Sequence, residues 1–146
     1  MSYASRAMRL KERDLAEAAT ILIAVGDGVL ADSLRFSLGL EGFDVRLCDE
    51  HSLPRAMAEA DAPGCLVLDH DVFARMLNGN NERRLAGLGF PVLLMVGHKT
   101  EKVTARAQEA GVTHIVEKPL LGGVLLDTIR SALGETVTLR RAQRSG

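Results

Sequence analysis

Charged side chains capable of chemistry stand in this sequence just after short apolar runs. Asp27, Asp69 and Lys118 each follow such a run, and Asp71 comes two residues after Asp69. If the runs end at a common edge, these carboxylates and the ammonium group converge on one crevice. An ammonium group beside carboxylates favours the charged form of each of them. The pattern therefore indicates an ionic pocket, which requires a fold that brings distant positions together.

Two histidines stand among the same candidate positions. His70 separates Asp69 from Asp71, and His98 follows the fourth apolar run. Together with Asp69 they could form a metal site, because imidazole and carboxylate groups are common metal ligands. Scattered histidines are more often loop residues that face solvent, and this alternative stays open.

The apolar runs have the length and composition of β-strands. Residues 21–25, 65–68 and 91–96 are almost continuously apolar, which is typical of parallel strands that are buried on both faces. Residues 43–47 alternate apolar and polar side chains, so this strand is predicted at a sheet edge with one exposed face. A short fifth strand is predicted over 112–116.

Helical segments alternate with these strands along the chain, and glycines close two of them, at Gly42 and Gly111. Five β–α repeats predict an α/β fold with a parallel sheet that helices cover on both faces. We expect the flavodoxin-like, doubly wound arrangement of five parallel strands in the order 2-1-3-4-5. In such a fold, ligands bind at the carboxyl ends of the strands.

One domain accounts for most of the chain. Its 146 residues, 47% of them hydrophobic, suffice for one core and are too few for two. We predict an N-terminal helical extension over 1–19, with a solvated segment as the alternative. The α/β domain follows over 20–133, and a polar C-terminal tail, read as a frayed extension of the last helix, covers 134–146.

Composition argues against several classes of protein. The net charge of −1 gives no basic excess for nucleic-acid binding. No apolar run approaches the roughly 20 residues that span a bilayer, and the N-terminus does not read as a signal peptide. Cys48 and Cys65 lie in apolar segments and are predicted to be buried, reduced thiols. We therefore expect a cytoplasmic protein that binds neither membranes nor nucleic acid.

Over residues 20–133 the sequence resembles the receiver domains of two-component response regulators. The segments that carry the resemblance are 32–36, 41–45, 65–69, 107–111 and 117–120. Val25 and Asp69 lie 44 positions apart, and Asp69 and Lys118 lie 49 apart, both similar to the separations in that family. No single motif is decisive, but the ordered set on a β–α scaffold is fairly specific.

The resemblance implies roles for individual residues. Asp69 would be the phosphoacceptor at the end of the third strand, and Lys118 would contact the phosphoryl oxygens. In that family two acidic residues after the first strand hold Mg²⁺, and a Ser or Thr follows the fourth strand. An aromatic residue on the fifth strand reports the state of the pocket to the surface. Pro119 would follow a cis peptide bond.

Several pocket positions depart from this pattern. Val25 and Gly26 stand where the acidic pair belongs, Val96 replaces the hydroxyl residue, and Ile115 replaces the aromatic switch. The loop expected after the phosphoacceptor is replaced by residues 70–74.

The remaining candidate metal ligands are Asp27, Asp69 and Asp71. We expect weak Mg²⁺ binding and no other cofactor, because Mg²⁺ requires several well-placed oxygen ligands. Helix caps are the alternative roles of Asp27 and Asp71. For Asp69 with Lys118 the alternative is a retained buried ion pair.

These observations favour an atypical receiver, or pseudo-receiver, that is not an enzyme. It would act in a two-component phosphorelay through protein contacts, with a sensor kinase or a downstream effector as partner and with weak or no phosphorylation. The alternative is a functional response regulator that a histidine kinase phosphorylates on Asp69. A third hypothesis takes Asp69 and Asp71 as the Asp-x-Asp motif of a phosphatase-like enzyme.

The surface formed by the fourth helix, fifth strand and fifth helix commonly makes dimers or output contacts in receiver domains. By resemblance, the same face would bind partners here or form a homodimer. It is expected to include Lys102, Arg106, Glu109 and Arg130.

Overall fold

The computed structural model describes residues 19–59, 64–78, 91–118 and 123–144, with side chains in the last helix as far as residue 134. Within these ranges, five strands alternate with five helices. The strands are β1 (Thr20–Ala24), β2 (Asp44–Leu47), β3 (Gly64–Asp69), β4 (Val92–Val96) and β5 (His114–Glu117). The helices are α1 (Gly28–Leu40), α2 (Leu53–Glu59), α3 (His70–Asn78), α4 (Glu101–Ala110) and α5 (Val124–Arg144).

The strands form one parallel sheet in the order β2-β1-β3-β4-β5. This confirms the predicted flavodoxin-like topology. β1, β3 and β4 are buried along their whole length, whereas β2 lies at an edge and is largely exposed. The register pairs Ala24 with Leu68 and Leu68 with Leu94, so β1, β3 and β4 end at nearly the same level.

Two apolar cores lie on opposite faces of the sheet. Alternate residues of each strand point to opposite faces, so Leu66 and Leu94 join one core while Val67 and Leu93 join the other. Helices α2, α3 and α4 cover the first core, and α1 and α5 cover the second. The predicted helices on both faces are therefore confirmed.

The glycine signals at two helix ends are also confirmed. Gly42 and Gly111 adopt φ angles of 95° and 98°, in the left-handed region that glycine enters without the penalty of a Cβ atom. Beside Gly42, the amide of Phe43 donates to the carbonyl oxygen of Leu38, which ends α1 and directs the chain into β2.

Some boundaries differ from the sequence-based expectation. Helix α3 begins directly after β3, so His70 and Asp71, expected at the end of the third strand, belong to the helix. Helix α5 runs 21 residues to Arg144, past the expected start of the tail at 134. The expected N-terminal helix and Pro119 lie outside the described residues, as does the expected helix break after Asn78. No helix in the described ranges is long and apolar enough to cross a bilayer.

Both cysteines are free, as predicted for reduced thiols. Cys65 is buried within β3, and desolvation raises the pKa of its thiol to about 12. Cys48 is only half-buried, and desolvation together with the charge of Asp49 raises its pKa to about 11. Both groups therefore stay protonated and poorly nucleophilic at neutral pH.

Two leucines two positions apart in α1 test the assignment of its buried face. Leu38 is 3% exposed and Leu40 is 72% exposed. We expect Leu38→Ala to lower the free energy of unfolding by about 2 to 5 kcal/mol, because it leaves a cavity in the core. Leu40→Ala should change it by about 0.5 kcal/mol or less. Urea unfolding measures both values, and equal losses would contradict the assignment.

Candidate functional site

Asp69 and Lys118 meet at the carboxyl edge of the sheet. The Lys118 Nζ atom donates to Asp69 Oδ1 at 2.9 Å. Asp69 is the last residue of the central strand β3, and Lys118 directly follows β5. The backbone amide of Lys118 donates to the carbonyl oxygen of Val96 at 2.8 Å, which fixes where the lysine side chain starts. The sheet thus joins two groups that are 49 positions apart in sequence.

The surroundings of the two charges are unequal. The Asp69 side chain is 7% exposed, whereas that of Lys118 is 35% exposed. A buried carboxylate requires a counter-charge and hydrogen-bond donors, because it has lost its hydration. Lys118 supplies the charge while its long side chain keeps contact with solvent.

A backbone amide provides the second contact to Asp69. The His70 amide donates to Oδ1 at 2.8 Å. Because α3 begins at His70, this amide belongs to the first helical turn, where amides have no partner within the helix. Among the described residues, both hydrogen bonds to the Asp69 side chain end on Oδ1. Neither of these hydrogen bonds involves the other carboxylate oxygen, Oδ2.

Asp27 serves as the N-cap of α1. Its Oδ1 atom accepts hydrogen bonds from the amides of Val29 at 3.0 Å and Leu30 at 3.2 Å. These two amides would otherwise have no partner within the helix. The alternative role that the sequence suggested for Asp27 is therefore confirmed.

Asp71 lies inside the first turn of α3 and is exposed. The interpretation of Asp71 as a helix cap was wrong, because the helix starts one residue before it and Asp69 occupies the position that precedes the helix. Its negative charge still suits the positive end of the helix dipole.

The described residues do not assemble a metal site. Nowhere in the described ranges do three His, Cys, Asp or Glu side chains lie close enough together to hold a metal ion. Asp27, Asp69 and Asp71 therefore form no cluster, and neither do His70 and His98 with Asp69. Mg²⁺ favours six oxygen ligands in octahedral geometry, and this donor set does not fit it. The Asp-x-Asp phosphatase hypothesis gains no structural support either.

The positions that depart from the receiver pattern lie after β1 and on β4 and β5. Val25 and Gly26 follow β1 and carry no polar side-chain atom. Val96 ends β4, is 1% exposed and packs into the core under α2, α3 and α4. Ile115 on β5 is half-buried and packs against the same core. Neither aliphatic side chain can form a hydrogen bond to a phosphoryl oxygen.

An ion pair that the sequence reading missed lies beside this crevice. Arg75 of α3 donates from Nε to Glu50 Oε2 at 3.1 Å, and its Nη2 atom lies 3.7 Å from the place of a Cβ atom at Gly26. The predicted strand order could have indicated this pair, because it places β1 between β2 and β3. The helix that follows β3 and the loop that follows β2 therefore lie on either side of β1.

One residue of the expected partner surface lies elsewhere. Lys102, Arg106 and Glu109 are exposed on α4. Arg130 of α5, however, donates to Glu41 at 2.8 Å, and Glu41 lies at the end of α1. Arg130 therefore points toward α1, and its placement on the face shared with α4 was wrong.

Comparisons with known proteins connect this geometry to a family. No protein-family model matches the chain. The response regulator MprA of Mycobacterium tuberculosis is 30% identical over 119 residues, which are 80% of this chain and 51% of MprA. The chain thus spans about half the length of the curated relatives that it matches.

Solved structures agree on the fold. A CheY-like response regulator receiver domain protein from Methanospirillum hungatei JF-1 superposes with a TM-score of 0.67 at 18% identity, covering 82% of this chain and 97% of that one. Full-length FixJ from B. japonicum superposes with a TM-score of 0.63 at 25% identity, covering 86% and 62%. The curated relatives are response regulators, and the structural neighbours share the receiver fold.

Substitutions at Asp27 test whether its acceptor oxygen or its negative charge stabilises α1. Asp27→Ala should lower the free energy of unfolding by about 1 kcal/mol, because two amides of α1 lose their acceptor. Asp27→Asn keeps the Oδ1 acceptor and should lower the free energy of unfolding by only a few tenths of a kcal/mol. Urea unfolding of the three proteins measures the difference. If asparagine costs as much as alanine, the charge and not the acceptor is what matters.

Proposed function

We propose that this chain is a receiver domain and a two-component signalling module that acts through protein contacts, with weak or no phosphorylation. The similarity to response regulators supports the signalling role. The composition of the pocket around Asp69 supports the restriction on phosphorylation.

One observation carries the proposal: Asp69 and Lys118 form an ion pair, while residues without carboxylate or hydroxyl groups stand where the resemblance implies the other pocket groups. Phosphoryl transfer depends almost wholly on positioning and on neutralising charge. Val25 and Gly26 offer no carboxylate for a metal ion, and Val96 offers no hydroxyl group. Of the groups that the resemblance implies, the nucleophile and the lysine remain. Transfer to Asp69 is therefore slow or absent.

The partners are a sensor kinase or a downstream effector, and the proposed contact surface is formed by α4, β5 and α5. Lys102, Arg106 and Glu109 lie exposed there and give the surface charged groups of both signs. Complementary charges steer encounter and select partners at such polar surfaces. A second copy of the chain is the alternative occupant of this surface.

A second candidate is a working switch that a histidine kinase phosphorylates on Asp69. The unengaged Oδ2 atom favours it, because this oxygen is available as a nucleophile while Lys118 holds Oδ1. Oδ2 would attack the phosphorus of the kinase phosphohistidine and form a P–O bond. The P–N bond would break, and its electron pair would stay on the imidazole nitrogen.

Complementation of cells that lack the gene tests the leading proposal. Asp69→Asn keeps an acceptor for Lys118 and for the His70 amide, so the fold should persist. We expect this variant to restore signalling as well as the unsubstituted chain does. The double variant Lys102→Glu, Arg106→Glu should fail, because it reverses charges on the proposed contact surface. A folded Asp69→Asn protein that does not signal would instead favour the phosphorylated switch.

Intact-mass spectrometry after incubation with acetyl phosphate and Mg²⁺ tests phosphorylation directly. We expect little or no gain of a phosphoryl group within the time in which a receiver with a complete acidic pocket becomes phosphorylated. Asp69→Asn is the matched control for the site of modification. Full conversion of the unsubstituted chain, absent from the control, would contradict the leading proposal and establish the second candidate.

A further inference from the structure

An arginine reaches across the carboxyl end of β1. Arg75 lies on α3, which follows β3, and its partner Glu50 lies in the connection that follows β2. In the sheet, β1 stands between β2 and β3. The Arg75–Glu50 pair, with Nε and Oε2 3.1 Å apart, therefore bridges the end of the first strand.

The guanidinium group lies against the place where a side chain at position 26 would begin. A Cβ atom built on Gly26 would stand 3.7 Å from Arg75 Nη2, which is ordinary van der Waals contact. A carboxylate at this position would reach the guanidinium group directly. Gly26 is also one of the two positions where the receiver pattern has an acidic residue. The arginine thus lies beside a position at which receivers bind the metal.

Two cations lie at strand ends on either side of β3. Lys118 contacts Asp69 from the β5 side, and the guanidinium group of Arg75 lies at the end of the neighbouring strand on the opposite side. A guanidinium group is protonated at every pH at which a protein is folded. Glu50, of which 26% of the side chain is exposed, limits where that charge can go.

We propose that Arg75, positioned by Glu50, takes the place of the divalent cation in this crevice. The guanidinium group then stands beside the position that a metal ligand would occupy, and the crevice binds no Mg²⁺. The missing carboxylates remove the attraction for a metal ion, and the guanidinium group adds repulsion. This inference rests on the proposed assignment of the crevice as the former phosphorylation pocket.

Binding of Mn²⁺, followed by electron paramagnetic resonance on the full chain, tests the proposal. The unsubstituted chain and Gly26→Asp should bind Mn²⁺ only weakly, because the new carboxylate pairs with Arg75. The double variant Gly26→Asp, Arg75→Gln should bind about tenfold or more tightly than Gly26→Asp. Adding Asp69→Asn to it should abolish the gain, which locates the ion in the crevice.

The controls separate this effect from a change in stability. Gly26→Asn, Arg75→Gln has the same shape without the new charge and should bind no Mn²⁺. Equal affinity of Gly26→Asp and the double variant would overturn the proposal, as would a folded double variant that gains no affinity.

A second measurement needs no substitution. The thermal midpoint of the unsubstituted chain should not rise with MgCl₂ beyond its value in NaCl of equal ionic strength. A rise specific to Mg²⁺ would overturn the proposal. Metal binding is measured without a signalling partner, so its outcome is independent of the complementation result on which the proposed function depends.

Discussion

A carboxylate buried at the end of the central strand constrains the rest of this structure. Asp69 exposes 7% of its side chain, and such a group is tolerated only with a cation and hydrogen-bond donors close by. Lys118 and the first amide of α3 satisfy that requirement on a single oxygen. Both can do so because parallel strands end at one edge of the sheet, where the helix after β3 also begins.

The burial of Asp69 gives this ion pair a structural role. Asp69 depends on Lys118, since removal of the lysine leaves an uncompensated carboxylate near the core. Groups that bind a metal ion or a phosphoryl oxygen have no such structural partner. Val96 fills core space under the neighbouring helices.

The start of α3 determines which groups lie at the end of β3. Because the helix follows β3 without a loop, His70 places its amide on Asp69, and Asp71 falls within the first turn. The same helix carries Arg75 toward the end of β1. The helix that starts directly after the central strand therefore positions both the His70 amide and Arg75.

The sequence by itself determined the topology, because runs of buried strand residues alternating with helical segments allow few chain paths. It also identified Asp69 and Lys118, since both stand at strand ends, and it indicated the cap at Asp27. Only the tertiary structure decided that Asp71 lies exposed in the first turn of α3 and that Arg75 bridges to Glu50. Periodicity fixes which face a residue occupies. The direction of a side chain at an element's end depends on where the next helix begins, and a pairing across strands depends on contacts that local sequence does not encode.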